Sequence, residues 1–400
     1  MEEWKEYQLK DATTVLGDGL HGTPKYDENG TVFFINGNNL VDGKIEIKES
    51  TKRVSEDEAN KYKKNLNSRT ILVSINGTIG NVAKYQGEAC ILGKSACYFN
   101  VSEDFDLNFI YYVVASKQFK NSITHLSTGT TIKNVSLETM RNYSFAAPSI
   151  NEQKRIAELL SSLDDKIELN RRINDNLEQQ AQALFKSWFV DFEPFRGEKF
   201  VKSEFGMIPK GWYIGSIYEQ IDVVYGAPYS SSLFNESNNG LPLIRIRDLK
   251  TYSPQVYTTE ILPNTEYIAT GDVVAGMDAE FIPTIWLGET GILNQRCCKF
   301  IARDAMVSNY YVLHLIKPEL EFVQSYKTGT TVSHLGKCDI DKFRIIVPPN
   351  NIVIKFSKLV NALFREKVRI ASESRNLTTL RNSLLPKLMS GELNINNLNC

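Results

Sequence analysis

The chain has 400 residues, 42% hydrophobic and 10% aromatic, which is apolar material for two globular cores and excludes a disordered or fibrous chain. Its formal net charge of −1 lacks the basic excess usual in a stand-alone nucleic-acid binder. Trp4 stands among Glu2, Glu3, Lys5 and Glu6 and no run approaches membrane-spanning length, so a secretory leader and a transmembrane segment are not expected and the reading is cytoplasmic.

In chain order, the apolar runs Val32-Phe33-Phe34-Ile35, Thr70 to Ile75 and Cys97-Tyr98-Phe99 predict strands. Asn36-Gly37, Asn76-Gly77 and Gly80-Asn81 punctuate them as turns. Leu107 to Lys120, apolar at Phe109, Ile110, Val113, Val114 and Phe119, predicts a helix packed on those strands. Residues 1–150 thus form a first mixed module. From Asn151 to Trp188 there is neither proline nor glycine, and Ile156, Leu159, Leu163, Ile167, Ile173, Leu177, Leu184 and Trp188 recur at mostly three- and four-residue steps. That spacing predicts one long amphipathic helix over 151–192, with Ser149 or Asn151 able to cap its start.

The turn-rich segment Ser203 to Trp212 leads into a second module, 193–349, in which Trp212 repeats the place of Trp4. A second long helix is predicted over 350–392, before a tail at 393–400. Its apolar stripe is Phe356, Leu359, Leu363, Ile370, Leu377, Leu380 and Leu384. Two helices with such narrow stripes need each other, so an antiparallel coiled coil is expected, its seam formed by these residues with Ile156, Leu159, Leu163, Leu177 and Leu184. Charge favours the pairing: residues 151–188 carry seven acidic and six basic groups, whereas 351–389 carry eight basic and two acidic. At about 1.5 Å per residue each helix is about 55 Å long, more than one DNA turn of about 34 Å. The expected fold class is therefore α+β: two pseudo-symmetric mixed α/β domains separated by an antiparallel pair of long helices.

The pseudo-symmetry is written in the residues. Thr128-Gly129-Thr130-Thr131 returns as Thr328-Gly329-Thr330-Thr331, each copy followed by Pro148 or Pro348 and then a long helix. Ile91-Leu92 maps onto Ile292-Leu293, and Cys97-Tyr98-Phe99 onto Cys298-Lys299-Phe300. Duplicated modules that have lost most side-chain identity present related but differently tuned surfaces, which suits a two-part target.

Little here points to catalysis. There is no Walker-type loop, no GxGxxG and no Asn/Asp-Pro-Pro-aromatic motif, Pro348-Pro349-Asn350 having the wrong order. Glu46-Ile47-Lys48 resembles a nuclease Glu-x-Lys, but Glu3-Trp4-Lys5 and Glu152-Gln153-Lys154 match equally, as chance delivers in a charged chain. The six cysteines form no CxxC and the four histidines are scattered, so neither zinc nor a disulfide framework is expected; Cys297-Cys298 reads as buried free thiols.

The repeated loops are better candidates. Thr128, Gly129, Thr130 and Thr131, like Thr328, Gly329, Thr330 and Thr331, offer hydroxyls and close backbone approach to phosphates or base edges. A structural turn leading to the following strand is the simpler reading of residue type alone. Lys133 follows the first copy and His334 the second. Gly22-Thr23-Pro24-Lys25-Tyr26 and Gly226-Ala227-Pro228-Tyr229 form another pair, with Lys25 and Tyr229 as candidates. Asn36, Asn38 and Asn39 correspond to Arg245, Arg247 and Asp248. Asparagine pairs with adenine and arginine with guanine, so Asn36, Asn38, Asn39, Arg245 and Arg247 are candidate readers, with solvent-facing strand residues as the plain alternative.

At these residues the chain resembles the DNA-specificity subunit of Type I restriction-modification systems. The likeness rests on Gly129-Thr130-Thr131, on Pro148 to Ile156, on Leu163-Asp164-Asp165-Lys166-Ile167, on Trp188 to Phe192 with Gly206 to Trp212, and on Leu384 to Leu393. It implies two target recognition domains, each reading half of a bipartite site in double-stranded DNA, with the coiled coil as a ruler for the gap. It further implies two modification subunits that bring S-adenosylmethionine and methylate adenine, and two restriction subunits that translocate and cleave. Cofactors, including ATP and Mg, would sit on those partners, none being bound by this non-catalytic chain. The partners would also supply most phosphate contacts, which accommodates the weak charge. Pro349-Asn350-Asn351 depart from the Glu152-Gln153 pattern, so unequal partner-docking surfaces are expected. A coiled-coil scaffold with duplicated protein-binding domains is the competing reading.

Overall fold

The apolar runs predicted above become strands of two small sheets in the first unit, those at Thr70 and Cys97 in an antiparallel sheet and Val32–Ile35 in a second sheet, and the second unit repeats the antiparallel sheet. The computed structural model describes residues 4–127, 133–327 and 333–395, and divides into two compact units, Met1–Lys166 with Leu377–Cys400, and Ile167–Asn376.

In the first unit the sheet order is Thr13–Asp18, Ala96–Val101, Thr70–Ser74, Val82–Lys84. Thr70–Ser74 and Ala96–Val101 are buried along their whole length because helices cover one face and a second sheet the other. That second sheet runs Arg53–Val54, Val32–Ile35, Cys90–Leu92, with Phe33 to Ile35 parallel to Cys90 to Leu92. In the second unit the order is Ile221–Tyr225, Cys297–Ala302, Val273–Gly276, Pro283–Ile285. Leu243-Ile244 again runs parallel to Ile292-Leu293. The two topologies are one plan. The thiols of Cys297 and Cys298 are free and buried, and burial pushes the Cys298 thiol up to about 12.

The predicted helix over 107–120 is two helices, Leu107–Ala115 and Lys117–His125, because Ser116 turns extended and its hydroxyl accepts from Phe119 N at 3.1 Å, capping the second. The second unit keeps one helix, Asn309–Lys327, with Pro318 inside it. Trp4 and Trp212 both precede a strand that pairs with the strand before a long helix: Lys5–Gln8 with Ser144–Ala147, and Tyr213–Ser216 with Arg344–Val347.

The long helices are Ile150–Phe189 and Asn350–Met389, 40 residues each. Parts of both complete each unit's core. In the first, Ile156, Ala157 and Leu160 pack in one cluster with Leu388. In the second, Ala181, Phe185 and Phe189 cluster with Val353, Phe356 and Val360. The helices run antiparallel: Arg381 Nη1 meets Asp164 Oδ1 at 3.1 Å, and Lys367 Nζ meets Glu178 Oε2 at 2.6 Å. Glu178 lies 14 residues after Asp164 and Lys367 14 before Arg381, so both pairs obey one register.

Of the residues predicted for the seam, Ile156, Leu177, Phe356 and Ile370 are buried, and Leu159, Leu163, Leu184, Leu363, Leu377 and Leu384 are half-buried. Leu359 and Leu380 are corrections. They are 50% and 46% exposed, because the heptad that carries Phe356 and Leu377 puts Val360 and Arg381 at the next seam positions, one residue or about 100° away. Gln153 is a further correction: it is buried, donates to Pro148 O at 2.9 Å and accepts from Asp106 N at 3.0 Å. It is thus an internal joint of the first unit, and by the Pro148 and Pro348 register its counterpart is the buried Val353.

Candidate nucleic-acid interface

In the first unit three loops are stitched together by backbone hydrogen bonds. Ile75 N donates to Ser95 O at 2.9 Å, Val135 N to Ile75 O at 2.9 Å, and Gly77 N to Lys133 O at 3.4 Å. These join the loop after Thr70–Ser74, the turn before Ala96–Val101, and the segment that follows the first Thr-Gly-Thr-Thr. The second unit repeats the stitching: Met277 N to Arg296 O at 2.8 Å, Leu335 N to Met277 O at 2.7 Å, and Ala279 N to Ser333 O at 2.9 Å. Gly77 and Ala279 hold matching positive φ, +74° and +63°, an uncommon conformation for alanine. The loops Thr128-Gly129-Thr130-Thr131 and Thr328-Gly329-Thr330-Thr331 themselves lie outside the described residues.

This shared frame revises one correspondence. Lys133 is the counterpart of Ser333, and His334 that of Asn134, since Asn76 bridges Asn134 and Asp278 bridges His334. The first unit therefore brings Asn76, Ser95 and Asn134 to the frame, and the second brings Asp278, Arg296 and His334. Asp278 holds both neighbours: its Oδ1 lies 2.6 Å from His334 Nδ1 and its Oδ2 3.3 Å from Arg296 Nε. Lys327 Nζ donates to His334 O at 2.7 Å and to Asp339 Oδ2 at 2.5 Å. Burial works against the Asp339 charge, but the Lys327 ammonium and Gly336 N–H outweigh it and hold the carboxyl below its ordinary range. Asn76, Ser95, Asp278 and Arg296 escaped sequence reasoning because the offset between copies drifts from 200 to 202 residues across these loops, and no local motif marks the drift.

The predicted pairing of Asn36, Asn38 and Asn39 with Arg245, Arg247 and Asp248 matches the geometry. Each triplet begins at the extended residue that caps a short 3-10 helix, Asn36 before Gly37–Asn39 and Arg245 before Ile246–Leu249, and in both the third side chain accepts from the first backbone N–H: Asn39 Oδ1 from Asn36 N at 3.0 Å, Asp248 Oδ2 from Arg245 N at 2.9 Å. The chemistry is divided by position. Asn39 is buried and its amide donates to Glu46 O and Thr51 Oγ1, so it braces the turn. Asn36 Oδ1 accepts from Ser95 Oγ at 3.0 Å, and Arg245 Nε lies 3.4 Å from the buried Asp248, which ties these two inward as well. Asn38 and Arg247 are the exposed members of the pair.

The Gly-x-Pro pair is corrected. The counterpart of Gly226-Ala227 is Gly19-Leu20: Leu20 N donates to Leu92 O at 2.7 Å and Ala227 N to Leu293 O at 3.0 Å. Lys25 lies beyond that frame, exposed, with its N–H donated to Glu58 Oε1 at 2.8 Å. Tyr229 is 5% exposed and its hydroxyl donates to Thr265 Oγ1, so it serves the core rather than a surface. A Cβ at Gly226 would lie 2.2 Å from Asn294 O, a backbone atom of the turn that carries Arg296. Gly226→Ala is expected to destabilise the second unit by about 1–3 kcal/mol, read as a lower urea midpoint.

Among the described residues no group of three or more His, Cys, Asp or Glu is placed to hold a metal ion, and no helix is long and apolar enough to cross a membrane.

The sequence matches the Type I restriction modification DNA specificity domain over residues 1–179 and 209–372. It is 28% identical over 363 residues to the Type I restriction enzyme MjaIX specificity subunit of Methanocaldococcus jannaschii, covering 82% of this chain and 78% of that protein. The HindI specificity subunit of Haemophilus influenzae is 23% identical over 478 residues, covering 98% of this chain and all of that one (100%). The fold is similar to the crystal structure of the S subunit of a Type-I restriction-modification system from M. genitalium, with a TM-score of 0.55, 18% identity and coverage of 97% and 96%.

Proposed function

The chain belongs to the family of the Type I restriction modification DNA specificity domain, and from that premise we propose that each of its units reads one half of a bipartite target in double-stranded DNA. The observation that carries this reading is the duplicated frame. Identical backbone stitching carries two amides and an inward-bonded hydroxyl in one unit, Asn76, Asn134 and Ser95, and a carboxylate, a guanidinium and an imidazole in the other, Asp278, Arg296 and His334. Two modules that served one common partner would have no cause to differ at matched, surface-forming positions; two modules that read different half-sites must. The exposed Asn38 and Lys25 in the first unit and the exposed Arg247 in the second belong to the candidate surface of their own unit.

On this reading the chain has no catalytic role. Two modification subunits that bind S-adenosylmethionine would methylate adenine, and two restriction subunits using ATP and Mg would translocate and cleave. The paired long helices, about 60 Å each, would set the gap between half-sites. The family membership disfavours the scaffold alternative. Co-expression with the modification subunit in a methylation-free bacterial host, followed by single-molecule mapping of N6-methyladenine, is expected to give a split motif with a fixed gap. A soluble complex that leaves no new methylation would overturn the proposal.

A further inference from the structure

We propose that Arg296 reads a guanine in the half-site of the second unit, an assignment that rests on the DNA-reading function proposed above. Arg296 sits on the turn between Gly291–Leu293 and Cys297–Ala302, where its carbonyl is fixed by Met277 N. Asp278 engages the guanidinium at Nε, and the side chain is 55% exposed. A guanidinium held at Nε by a carboxylate keeps its two terminal nitrogens as parallel donors, the fork that matches guanine O6 and N7. Holding the head in place before DNA arrives lowers the rotamer entropy lost on contact, so Asp278 acts as a positioning residue. His334 on the other carboxylate oxygen keeps Asp278 itself in place.

The first unit shows the converse. Its residue at the Arg296 position is Ser95, whose hydroxyl is already spent between Asn36 Oδ1, at 3.0 Å, and Gly37 N, at 2.9 Å. With Asn76 and Asn134 beside it, that frame holds no guanidinium, so the guanine contact is specific to one half of the target.

The test compares methylation motifs of complexes assembled with the wild-type chain, Arg296→Ala, Arg296→Lys and Asp278→Asn. Arg296→Ala is expected to relax one guanine position in one half-site, discrimination there falling about 5- to 150-fold, with the other half-site and the gap unchanged. Arg296→Lys keeps the charge but loses the fork, so it relaxes the same position. Asp278→Asn relaxes it to a smaller extent. A lysine variant that keeps the full wild-type motif overturns the assignment, whether the alanine variant also keeps it or loses methylation altogether through misfolding. Relaxation in both half-sites overturns it as well. Absence of any split motif with the wild-type chain would instead remove the DNA-reading function on which the assignment rests, so the two failures are distinct.

Discussion

Phe356→Ala is expected to lower the stability of the Ile167–Asn376 unit by about 3–5 kcal/mol. Phe356 is fully buried, and its ring lies 5.0 Å from Phe189, 5.7 Å from Trp188, 6.1 Å from Phe185 and 6.3 Å from Tyr311, measured between centroids. It therefore joins both long helices to the helix Asn309–Lys327, and an alanine would leave a cavity that three separately anchored elements cannot close. Three of the four tryptophans, Trp188, Trp212 and Trp286, belong to this unit, so urea unfolding followed by tryptophan fluorescence reports on it directly. The expected record is an earlier transition for the tryptophan signal, with the unit around Trp4 retaining its own midpoint. An unchanged midpoint would mean that the helix pair does not hold this core together.

Acid should weaken the same unit through one side chain. His314 is 4% exposed, and burial pushes its imidazole down to about 4 from an ordinary 6.5. Glu178, 3.6 Å away, opposes the shift, whereas the ammonium groups of Lys317 and Lys367 add to it; the rings of Tyr310 and Phe185 complete the surroundings. The unfolded chain takes up a proton below about pH 6.5 that the folded chain refuses until about pH 4. The histidine's contribution is thus complete above pH 6.5 and is lost as pH falls toward 4, at a total cost of about 3 kcal/mol. Unfolding midpoints across that range should fall in the wild type and stay flatter in His314→Met, which fills similar space without a titrating group. Equal slopes would show that carboxylates alone govern acid stability here.

Much of this architecture was legible in the amino-acid order because it depends on local rules. Short apolar runs such as Thr70 to Ile75 and three-four periodicity without glycine or proline from Asn151 to Trp188 follow from backbone geometry, and a duplication preserves them after side chains diverge. The match of Asn36, Asn38 and Asn39 to Arg245, Arg247 and Asp248 was readable for the same reason: the capped turn is a local device. Where two residues compete for one stripe the pattern failed. Leu359 and Leu380 look like seam positions beside Val360 and Arg381, and only the partner helix's register chooses between them.

By itself, then, the sequence determined two copies of a mixed module, the two long helices and their family likeness, all carried by periodicity, turn chemistry and repetition. The tertiary structure alone decided which side chains of each module remain available. Asn39, Tyr229 and Asp248 are consumed by hydrogen bonds to residues far along the chain or across a tight turn, while Arg296 and His334, 38 residues apart, meet on Asp278. The physical reason is that availability depends on what long-range packing brings to each polar group, and three loops far apart along the chain converge only when both sheets have folded.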